Sequence, residues 1–349
     1  MNLEQRISGL ARMGNALAAL LEEVEFSGRV TGNLLHDVLR RAYSKNPWFT
    51  PENSVRALKS ISEFLGQSAL ETWLSGYKGF QKVNDEPLSI GLVMAGNLPA
   101  VGFHDLLCVL VSGHRAVCKM SSGDDVLIPF IREILLKVEP GFTRQISFVD
   151  KLAAVDAVIA TGSNNTARYF EYYFQKLPHI IRRNRNGIAV LDGSENEAEL
   201  QGLGHDIFAY FGMGCRSISK LYVPESYDFS DFFPVMEEFS TVMQHNKYMN
   251  NYDYHRALFL LNEDPFLTNN FLIVRQSAVI RTPVSVLHYE YYSDRADLEQ
   301  QLKLESEKIQ CVTGRGYLPL GTAQLPGLAD YADGVDTMHF LAGLPQAGS

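Results

Sequence analysis

The stretch Leu88-Ser-Ile-Gly-Leu-Val-Met94 decides the fold class of this chain, because a regular alternation of strands and helices begins there. Its apolar run predicts a buried strand. A predicted helix over residues 102–111 and a second predicted strand, Ala116-Val-Cys-Lys119, follow it. Strand–helix–strand order of this kind is typical of a mostly parallel sheet with helices on its faces. We therefore predict an α/β protein with doubly wound sheets.

The alternation continues toward the C-terminus. Further strands are predicted at residues 146–149, 157–160, 188–191, 219–223, 272–274 and 284–289. Further helices are predicted over residues 124–138, 165–175, 195–211, 229–242 and 295–308. The aromatic run Tyr169–Phe174 has helical spacing and predicts a core-facing side of its helix, whereas Arg182-Arg-Asn-Arg185 predicts a solvated turn.

The first 80 residues predict helices instead. Leu10, Met13 and Leu17 recur at helical spacing, a second helix is predicted near residues 31–43, and Thr50-Pro51 predicts the start of a third. These patterns divide the chain into a helical N-terminal region, two α/β domains and a C-terminal segment that returns to the first α/β domain. The predicted limits are residues 1–85, 86–185, 186–312 and 313–349.

Composition narrows the class of protein. The 349 residues carry a formal net charge of −9, which disfavours binding to nucleic acid or to an anionic membrane. No apolar run reaches the length of a membrane span, and the N-terminus lacks the apolar core of a signal peptide. The four cysteines form no C-x-x-C pair and no Cys/His cluster with zinc spacing, so we expect no metal site and a reduced, cytoplasmic protein.

One of the cysteines has the surroundings of a nucleophile. In Tyr210-Phe-Gly-Met-Gly-Cys-Arg-Ser-Ile-Ser-Lys220, Cys215 follows two glycines and precedes an apolar strand. Glycine permits a tight turn and a close approach of a substrate carbonyl, and the backbone N–H of the cysteine can then stabilise an oxyanion. Arg216 and Lys220 are near enough in sequence to favour its thiolate. Apolar neighbours predict that the other three are core residues: Cys108, Cys118 and Cys311.

Three more loops with polar residues follow predicted strands of the first α/β domain. They carry Asn97, Lys119 with Ser121 and Ser122, and Thr161-Gly162-Ser163. A lysine beside two serines suits a phosphate or a ribose, and free N–H groups at the start of a helix bind anions. Each feature alone also has a plain interpretation, as a turn residue, a surface lysine or a helix cap. No G-x-G-x-x-G follows the first strand, which disfavours an ordinary Rossmann dinucleotide site.

Taken in order, over about residues 85–345, these loops resemble the aldehyde dehydrogenase superfamily and, within it, the LuxC-type acyl-CoA reductases. Asn97 matches the oxyanion-binding asparagine of that superfamily and Cys215 matches its nucleophile. The resemblance implies an aldehyde dehydrogenase-like fold in which residues 86–185 bind the cofactor and residues 186–312 carry Cys215. It places cofactor contacts on Lys119, Ser121, Ser122, Thr161, Gly162 and Ser163. It also implies acyl-CoA, or an acyl-carrier or synthetase partner, and a homodimer.

Three departures from the superfamily pattern refine this expectation. Hydrolytic members carry a glutamate that activates water, and Ile180-Ile-Arg-Arg183 stands there instead, which favours a thiol over water as the partner in acyl exchange. A second glutamate, which holds the nicotinamide ribose, is replaced by Ala278-Val-Ile-Arg281. Ser122 replaces the carboxylate of NAD-preferring members and leaves room for a 2′-phosphate beside Lys119, which favours NADPH.

The resemblance therefore predicts NADPH-dependent reduction of an acyl thioester to an aldehyde through an acyl-Cys215 intermediate. Two alternatives stay open. The first is a cysteine-dependent reductase of the same superfamily that acts on an acyl phosphate, which would release phosphate rather than CoA. The second is a non-catalytic partner or binding subunit that kept the fold, which the missing glutamates suggest.

Overall fold

The computed structural model describes residues 1–27, 34–80 and 86–345. The chain forms two compact units. Unit 1 is built from two separate segments of the chain, and unit 2 from one continuous segment. Unit 1 comprises Met1–Arg183 and Gly327–Ser349, and unit 2 comprises Asn184–Pro326. The chain therefore returns to unit 1 after Pro326, whereas the sequence analysis placed this return after residue 312. The predicted limit at residue 85 lies outside the described residues.

The N-terminal part of unit 1 is helical, as predicted. Its helices are α1 (Leu3–Ser27), α2 (Leu34–Lys45), α3 (Pro51–Phe64) and α4 (Gln67–Ser75). Leu10, Met13 and Leu17 are buried in the core of this unit. Thr50 caps α3, since its hydroxyl accepts a hydrogen bond from the Asn53 N–H at 3.3 Å. The predicted start of α2 near residue 31 lies outside the described residues.

Among the described residues, the sheet of unit 1 has five strands, all parallel. They are β1 (Ser89–Val93), β2 (Arg115–Lys119), β3 (Ile146–Phe148), β4 (Ala157–Thr161) and β5 (His179–Arg182), in the spatial order β3-β2-β1-β4-β5. The connecting helices are α5 (Phe103–Ser112), α6 (Leu127–Val138) and α7 (Asn164–Phe174). Because the strands are parallel, their carboxyl ends lie at one edge, and the strand order reverses between β1 and β4. Such a reversal is where doubly wound sheets bind ligands.

The aromatic side of α7 does not face the core. Tyr169, Tyr172 and Tyr173 are 66, 71 and 73% exposed, so the prediction of a core-facing side is wrong for these three residues. The apolar core of unit 1 instead draws on its other helices and on the sheet, with residues such as Leu10 of α1, Leu107 of α5, Ile131 of α6 and Ile90 of β1. This core fixes the position of the strand ends that carry the predicted site residues.

The sheet of unit 2 has six strands in the order β11-β6-β7-β10-β9-β8, and its described pairs are parallel except β8 with β9. The strands are β6 (Asn186–Val190), β7 (Ile218–Pro224), β8 (Leu267–Thr268), β9 (Ile273–Gln276), β10 (Val286–Tyr292) and β11 (Ile309–Gly314). The helices are α8 (Glu197–Phe208), α9 (Phe232–Met236), α10 (Asn246–Leu261) and α11 (Arg295–Leu304). The predicted α/β class is thus confirmed, although the sequence analysis did not identify β5, β8, β11, α4, α10 and a short helix at Thr337–Ala342.

A buried arginine helps to attach the C-terminal part of unit 1. Arg182 is 3% exposed, and its guanidinium pairs with Asp105 on α5 at 2.6 Å. The same group donates to the Ala332 carbonyl at 2.6 Å and to the Thr337 hydroxyl at 2.8 Å, at the start of α12 (Thr337–Ala342). The prediction of a solvated turn is therefore wrong for Arg182. Its burial is explained by the carboxylate and oxygen acceptors around it.

Candidate functional site

Cys215 lies in a strained connection between α8 and β7. Tyr210, Phe211 and Gly212 follow one another with φ angles of +52°, +58° and +74°. Left-handed backbone costs energy for residues with a side chain, so two of these three positions store strain. The Phe211 ring packs on the His245 ring with their centroids 4.4 Å apart. These features turn the chain sharply just before the cysteine.

A four-residue turn, Gly214–Ser217, presents the thiol. The Ser217 N–H donates to the Gly214 carbonyl at 3.1 Å, and the Gly214 N–H donates to the Ser217 hydroxyl at 3.1 Å. Cys215 at the second position of this turn is exposed. The other three cysteines are buried thiols, as predicted. The residue predicted to be the nucleophile is thus the exposed one among the four cysteines.

A neighbouring loop of unit 2, residues 319–324, braces this turn. The fully buried Asp206 on α8 accepts hydrogen bonds from the Gly321 N–H at 2.7 Å and the Ala323 N–H at 3.0 Å. Arg216 donates from Nε to the Ala323 carbonyl, and Gln324 donates to the Ser217 hydroxyl at 3.3 Å. Burial raises the pKa of Asp206 to about 6, although the hydrogen bonds that its carboxylate accepts from backbone N–H groups oppose this shift.

Lys220 does not serve the thiol in the way that its sequence position suggested. Its side chain is fully buried, and its ammonium pairs with Glu290 and donates to the Ala278 carbonyl at 2.8 Å. Because this charge is already balanced inside unit 2, the expectation that Lys220 favours the Cys215 thiolate is not supported. The ion pair instead joins β7 to β10, and the hydrogen bond to Ala278 holds the segment that connects β9 to β10.

Two further side chains form hydrogen bonds to the same connection between β9 and β10. Ser219 donates to the Ile280 carbonyl at 2.8 Å, and His288 Nδ1 lies 2.7 Å from the Val279 carbonyl. Together with Lys220, these side chains hold the carbonyls of residues 278, 279 and 280. This is the segment that replaces the second superfamily glutamate. Burial is the main cause that lowers the pKa of His288, so its neutral form is favoured.

The other predicted site residues lie at the carboxyl edge of the unit 1 sheet. Asn97 is exposed after β1, Lys119 is half-buried at the end of β2, and Ser122 is exposed three residues later. Val93 pairs with Lys119, so the loops that follow β1 and β2 leave the sheet side by side. The end of β4 lies next to that of β1 and carries Thr161-Gly162-Ser163. The structure thus brings to this edge Asn97, Lys119, Ser121, Ser122, Thr161, Gly162 and Ser163.

The loops after β1 and β2 are packed against each other by a buried aspartate that the sequence analysis missed. Asp124 accepts hydrogen bonds from the Ala100 N–H at 2.7 Å and the Leu127 N–H at 3.3 Å. Ala100 has a φ of +52°, a conformation that this bond helps to hold. Burial raises the pKa of Asp124 to about 6. No motif marked this residue, because its partners become neighbours only in the folded sheet.

Ser163 has a structural task of its own. Its hydroxyl accepts the Thr166 N–H at 3.3 Å and thereby caps α7. A side chain at Gly162 would lie 3.0 Å from Thr166 Cβ, so glycine permits the close approach of the strand end to the helix. These contacts account for the Thr-Gly-Ser sequence as a strand-to-helix turn. Its role toward a cofactor stays a prediction.

No three or more His, Cys, Asp or Glu side chains within residues 1–27, 34–80 and 86–345 are grouped so as to hold a metal ion. Nor does any described helix contain an apolar stretch sufficient to traverse a bilayer.

Comparisons with known proteins agree with this architecture. The family model for acyl-CoA reductase (LuxC) matches residues 15–246. A search among curated proteins gave no match. Aldehyde dehydrogenase 21 of Physcomitrella patens, solved with the product succinate, superposes with a TM-score of 0.63 at 14% identity, over 93% of this chain and 76% of that one.

Two more solved structures have the same fold. An NADP-dependent enzyme of E. coli has a TM-score of 0.64 at 12% identity, with 90% of this chain and 73% of that one covered. A Mycobacterium tuberculosis aldehyde dehydrogenase complexed with NAD+ has a TM-score of 0.60 at 13% identity, with 85% and 70% covered. The predicted aldehyde dehydrogenase-like fold is therefore confirmed. By its family match, the chain belongs to the LuxC acyl-CoA reductases, oxidoreductases that act on acyl groups.

Proposed function

We propose that this protein reduces an acyl thioester to an aldehyde with NADPH, through an acyl group carried on Cys215. One observation carries this proposal. Of four thiols, only Cys215 is exposed, and it lies on a tight turn before β7 at the position that matches the superfamily nucleophile. Buried thiols such as Cys118 are inert by comparison, because burial raises the pKa of that thiol to about 12.

The first chemical step uses only groups of this chain. The Cys215 thiolate attacks the thioester carbonyl carbon, a C–S bond forms, and the carbonyl oxygen becomes an oxyanion. We assign the backbone N–H of Cys215 and the side-chain amide of Asn97 as its donors, each worth about 3 to 4 kcal/mol in such sites. The oxyanion then collapses and expels the CoA thiolate, which leaves without a strong general acid. Acyl-Cys215 is the product of this step.

The residues at the carboxyl edge of the unit 1 sheet suit a phosphorylated nicotinamide dinucleotide. Lys119 provides an ammonium, and Ser121 and Ser122 provide hydroxyls, with Ser122 at the position that matches the carboxylate of NAD-preferring members. Thr161, Gly162 and Ser163, at the start of α7, would lie toward the pyrophosphate. When bound, NADPH supplies the hydride that converts the acyl group to the aldehyde. The solved neighbours of this fold support a nicotinamide cofactor in general, since the E. coli enzyme is described as NADP-dependent and the M. tuberculosis enzyme is complexed with NAD+.

The end of β5 supports a thiol rather than water as the partner in acyl exchange. Ile180 is buried there, and the Arg182 guanidinium is engaged by Asp105. Neither side chain can act as the general base that activates water in hydrolytic members, so acyl-Cys215 is expected to resist hydrolysis. Our proposal therefore takes acyl-CoA or an acyl-carrying protein as the donor. It extends to a cytoplasmic homodimer, the arrangement implied by the superfamily resemblance.

Mass spectrometry of the intact protein tests the covalent step. Full-length enzyme is mixed with acyl-CoA of several chain lengths without NADPH. We expect one acyl adduct on the Cys215 peptide and one equivalent of released CoA, and aldehyde should appear when NADPH is added. Cys215→Ser should give no adduct, whereas the thiol control Cys118→Ala should keep it. No adduct at any chain length would favour the binding-subunit alternative, and an adduct formed only from an acyl phosphate would favour the other one.

The oxyanion role of Asn97 has its own test. Asn97→Ala should slow acylation of Cys215 by about 10²- to 10³-fold, the effect of removing one oxyanion donor. Its stability should stay within about 0.5 kcal/mol of the wild type, because Asn97 is exposed. Asn250→Ala, which removes an exposed amide from α10, is the matched control. An unchanged acylation rate in Asn97→Ala would remove this residue from the mechanism.

A further inference from the structure

Asn46 connects the two loops at the carboxyl edge of the unit 1 sheet. It lies directly after α2, and its side-chain Nδ2 donates to the Gly96 carbonyl at 3.2 Å and to the Gly123 carbonyl at 3.3 Å. Gly96 immediately precedes Asn97, and Gly123 immediately follows Ser122. One amide group thus bonds to the neighbour of the proposed oxyanion donor and to the neighbour of the proposed cofactor-binding serine.

The orientation of this amide is determined by its surroundings. The Asn46 side-chain oxygen accepts the Trp48 N–H at 3.2 Å, which leaves the NH₂ group for the two carbonyls. The main chain is held as well, since the Asn46 N–H donates to the Ala42 carbonyl at 2.9 Å and its carbonyl accepts the Phe49 N–H at 2.8 Å. Phe49 is buried in the core of unit 1. Asn46 is therefore a fixed donor on a rigid support.

The two loops touch where they lack side chains. A Cβ atom at Gly123 would come within 2.7 Å of the Gly96 carbonyl oxygen, and one at Gly96 would collide with Ser121. Ser121 also accepts the Gly123 N–H at 3.1 Å, which tightens the second loop. The backbones can approach this closely only because both positions are glycine. The two carbonyls consequently face a common donor.

We propose that Asn46 is a positioning residue for the reaction, because its amide holds the Asn97 loop and the Ser121–Ser122 loop in one arrangement. This inference rests on the function proposed above. It assigns the N-terminal helical layer a part in the site, although that layer contributes no reacting group. It also predicts that acyl transfer and cofactor binding weaken together when the amide is removed, since one group supports both loops.

The test compares Asn46→Ala and Asn46→Asp in the full-length enzyme. Acylation of Cys215 by acyl-CoA is followed by mass spectrometry without NADPH, and NADPH affinity is measured by fluorescence titration. Both quantities are expressed per folded molecule. We expect Asn46→Ala to lower each about tenfold, because a small displacement of reacting groups is amplified in rate. Asn46→Asp should lower each further, since a carboxylate oxygen would face two carbonyl oxygens.

Two other variants complete the test, one as a control for loss of an amide and one as an independent way to separate the two loops. Gln67→Ala removes an amide whose hydrogen bond stays within α4, and it should change neither quantity more than twofold. Gly123→Ala separates the loops from the other side and should reproduce both losses if the Asn46 variants fail to fold. Wild-type rates and affinities in the folded Asn46 variants, or loss of only one of the two quantities, would overturn the inference. Failure of the wild type itself to acylate Cys215 would instead count against the proposed function.

Discussion

The proposed cofactor preference depends on one exposed hydroxyl, that of Ser122. Lys119 at the end of β2 offers a positive charge to either NADH or NADPH, so it does not discriminate alone. A carboxylate at position 122 would accept hydrogen bonds from a free ribose but would repel a 2′-phosphate. The small neutral serine removes that repulsion.

Replacing this serine should reverse the preference. We expect Ser122→Asp to weaken NADPH binding at least tenfold and to leave NADH affinity equal or improved, because like charges placed side by side are unfavourable. Fluorescence titration of both cofactors measures the ratio. Ser122→Ala, which adds no charge, should keep the wild-type ratio. An unaltered ratio in Ser122→Asp would mean that the 2′-phosphate binds elsewhere.

Residue types predicted the thiols well and the charged groups poorly. Apolar neighbours along the chain were enough to predict burial of Cys108, Cys118 and Cys311, because a strand or helix with such neighbours packs inward. The sequence predicts Arg182 in a solvated turn and Lys220 beside the Cys215 thiolate, but both cations are buried in ion pairs. Their acceptors Glu290 and Asp105 are 70 and 77 residues away in sequence, and only the sheet topology makes them neighbours.

At the scale of elements, the connection from α8 to β7 determines how the thiol is presented. Gly212 has a φ of +74°, and a Cβ atom there would lie 3.2 Å from the Ile207 carbonyl oxygen. Gly334, in the C-terminal part of unit 1, has a similar φ of +66° with open space around it. Alanine substitutions at the two positions would therefore cause similar backbone strain, but only the one at Gly212 would also disturb the turn that carries Cys215.

Gly212→Ala should destabilise the protein and also slow acylation of Cys215. The left-handed conformation costs a residue with a side chain about 1 to 2 kcal/mol, so Gly334→Ala should lose a similar amount of stability. Only Gly212→Ala should lower the acylation rate, by about tenfold, because it moves the turn that carries the thiol. Urea unfolding and mass spectrometry give the two quantities. Equal acylation rates in both variants would show that the strain is not used by the site.

The stability that Asp206 contributes through its hydrogen bonds to the loop 319–324 should depend on pH. Asp206 has a folded-state pKa of about 6, above its ordinary value of 3.8, so the folded protein binds more protons between these two values. Its contribution to stability is therefore fully present below pH 3.8 and is lost as pH rises through about 6. Lowering the pH from 7 to 5 should restore about 1 kcal/mol at this residue.

Asp206→Asn removes this titration. The change in free energy of unfolding between pH 7 and pH 5 should differ from that of the wild type by about 1 kcal/mol, with less gain on acidification in the variant. Asp231→Asn, an exposed position before α9, serves as the control for loss of a carboxylate. If Asp206→Asn and the wild type respond identically to pH, the raised pKa of Asp206 is contradicted.

Element boundaries show where sequence patterns stop being informative. The strands β1, β2 and β4 were predicted within about a residue, since each is a short apolar run between polar loops. α10 was missed because Asn246–Leu261 has no continuous apolar side: Tyr254 and Leu261 are exposed while Tyr248 and Tyr252 are buried. The predicted helix 195–211 ends at Phe208 because the left-handed residues that follow cannot continue it.

At the scale of the whole molecule, unit 1 is assembled from the two ends of the chain. Residues 327–345 pack on the first 183 residues. Contacts between β5 and this C-terminal segment therefore join parts of the chain that are separated in sequence by the whole of unit 2. The Arg182 guanidinium makes this connection, with Asp105 on one side and Ala332 and Thr337 on the other. Trp73 and Tyr77 add hydrogen bonds to Tyr331 at 2.9 and 2.7 Å.

Arg182→Met should therefore destabilise unit 1 strongly. Removing one partner of a buried ion pair leaves the Asp105 carboxylate uncompensated, which costs about 3 to 5 kcal/mol. The Arg182 guanidinium is the main group that holds the pKa of Asp105 down against its burial, so the loss should be larger at pH 7 than at pH 5, where that carboxyl is more readily protonated. Urea unfolding at the two pH values measures both effects.

The adjacent arginine provides a matched control. Arg183 pairs with Glu171 at the surface, where 59 and 42% of the two side chains are exposed. Arg183→Met should change the free energy of unfolding by no more than about 1 kcal/mol, because exposed ion pairs are weak. Limited proteolysis should release the C-terminal segment from Arg182→Met and not from Arg183→Met. Similar stability of the two variants would mean that the segment is held by its apolar contacts, such as Met338 and Leu341, rather than by the buried ion pair.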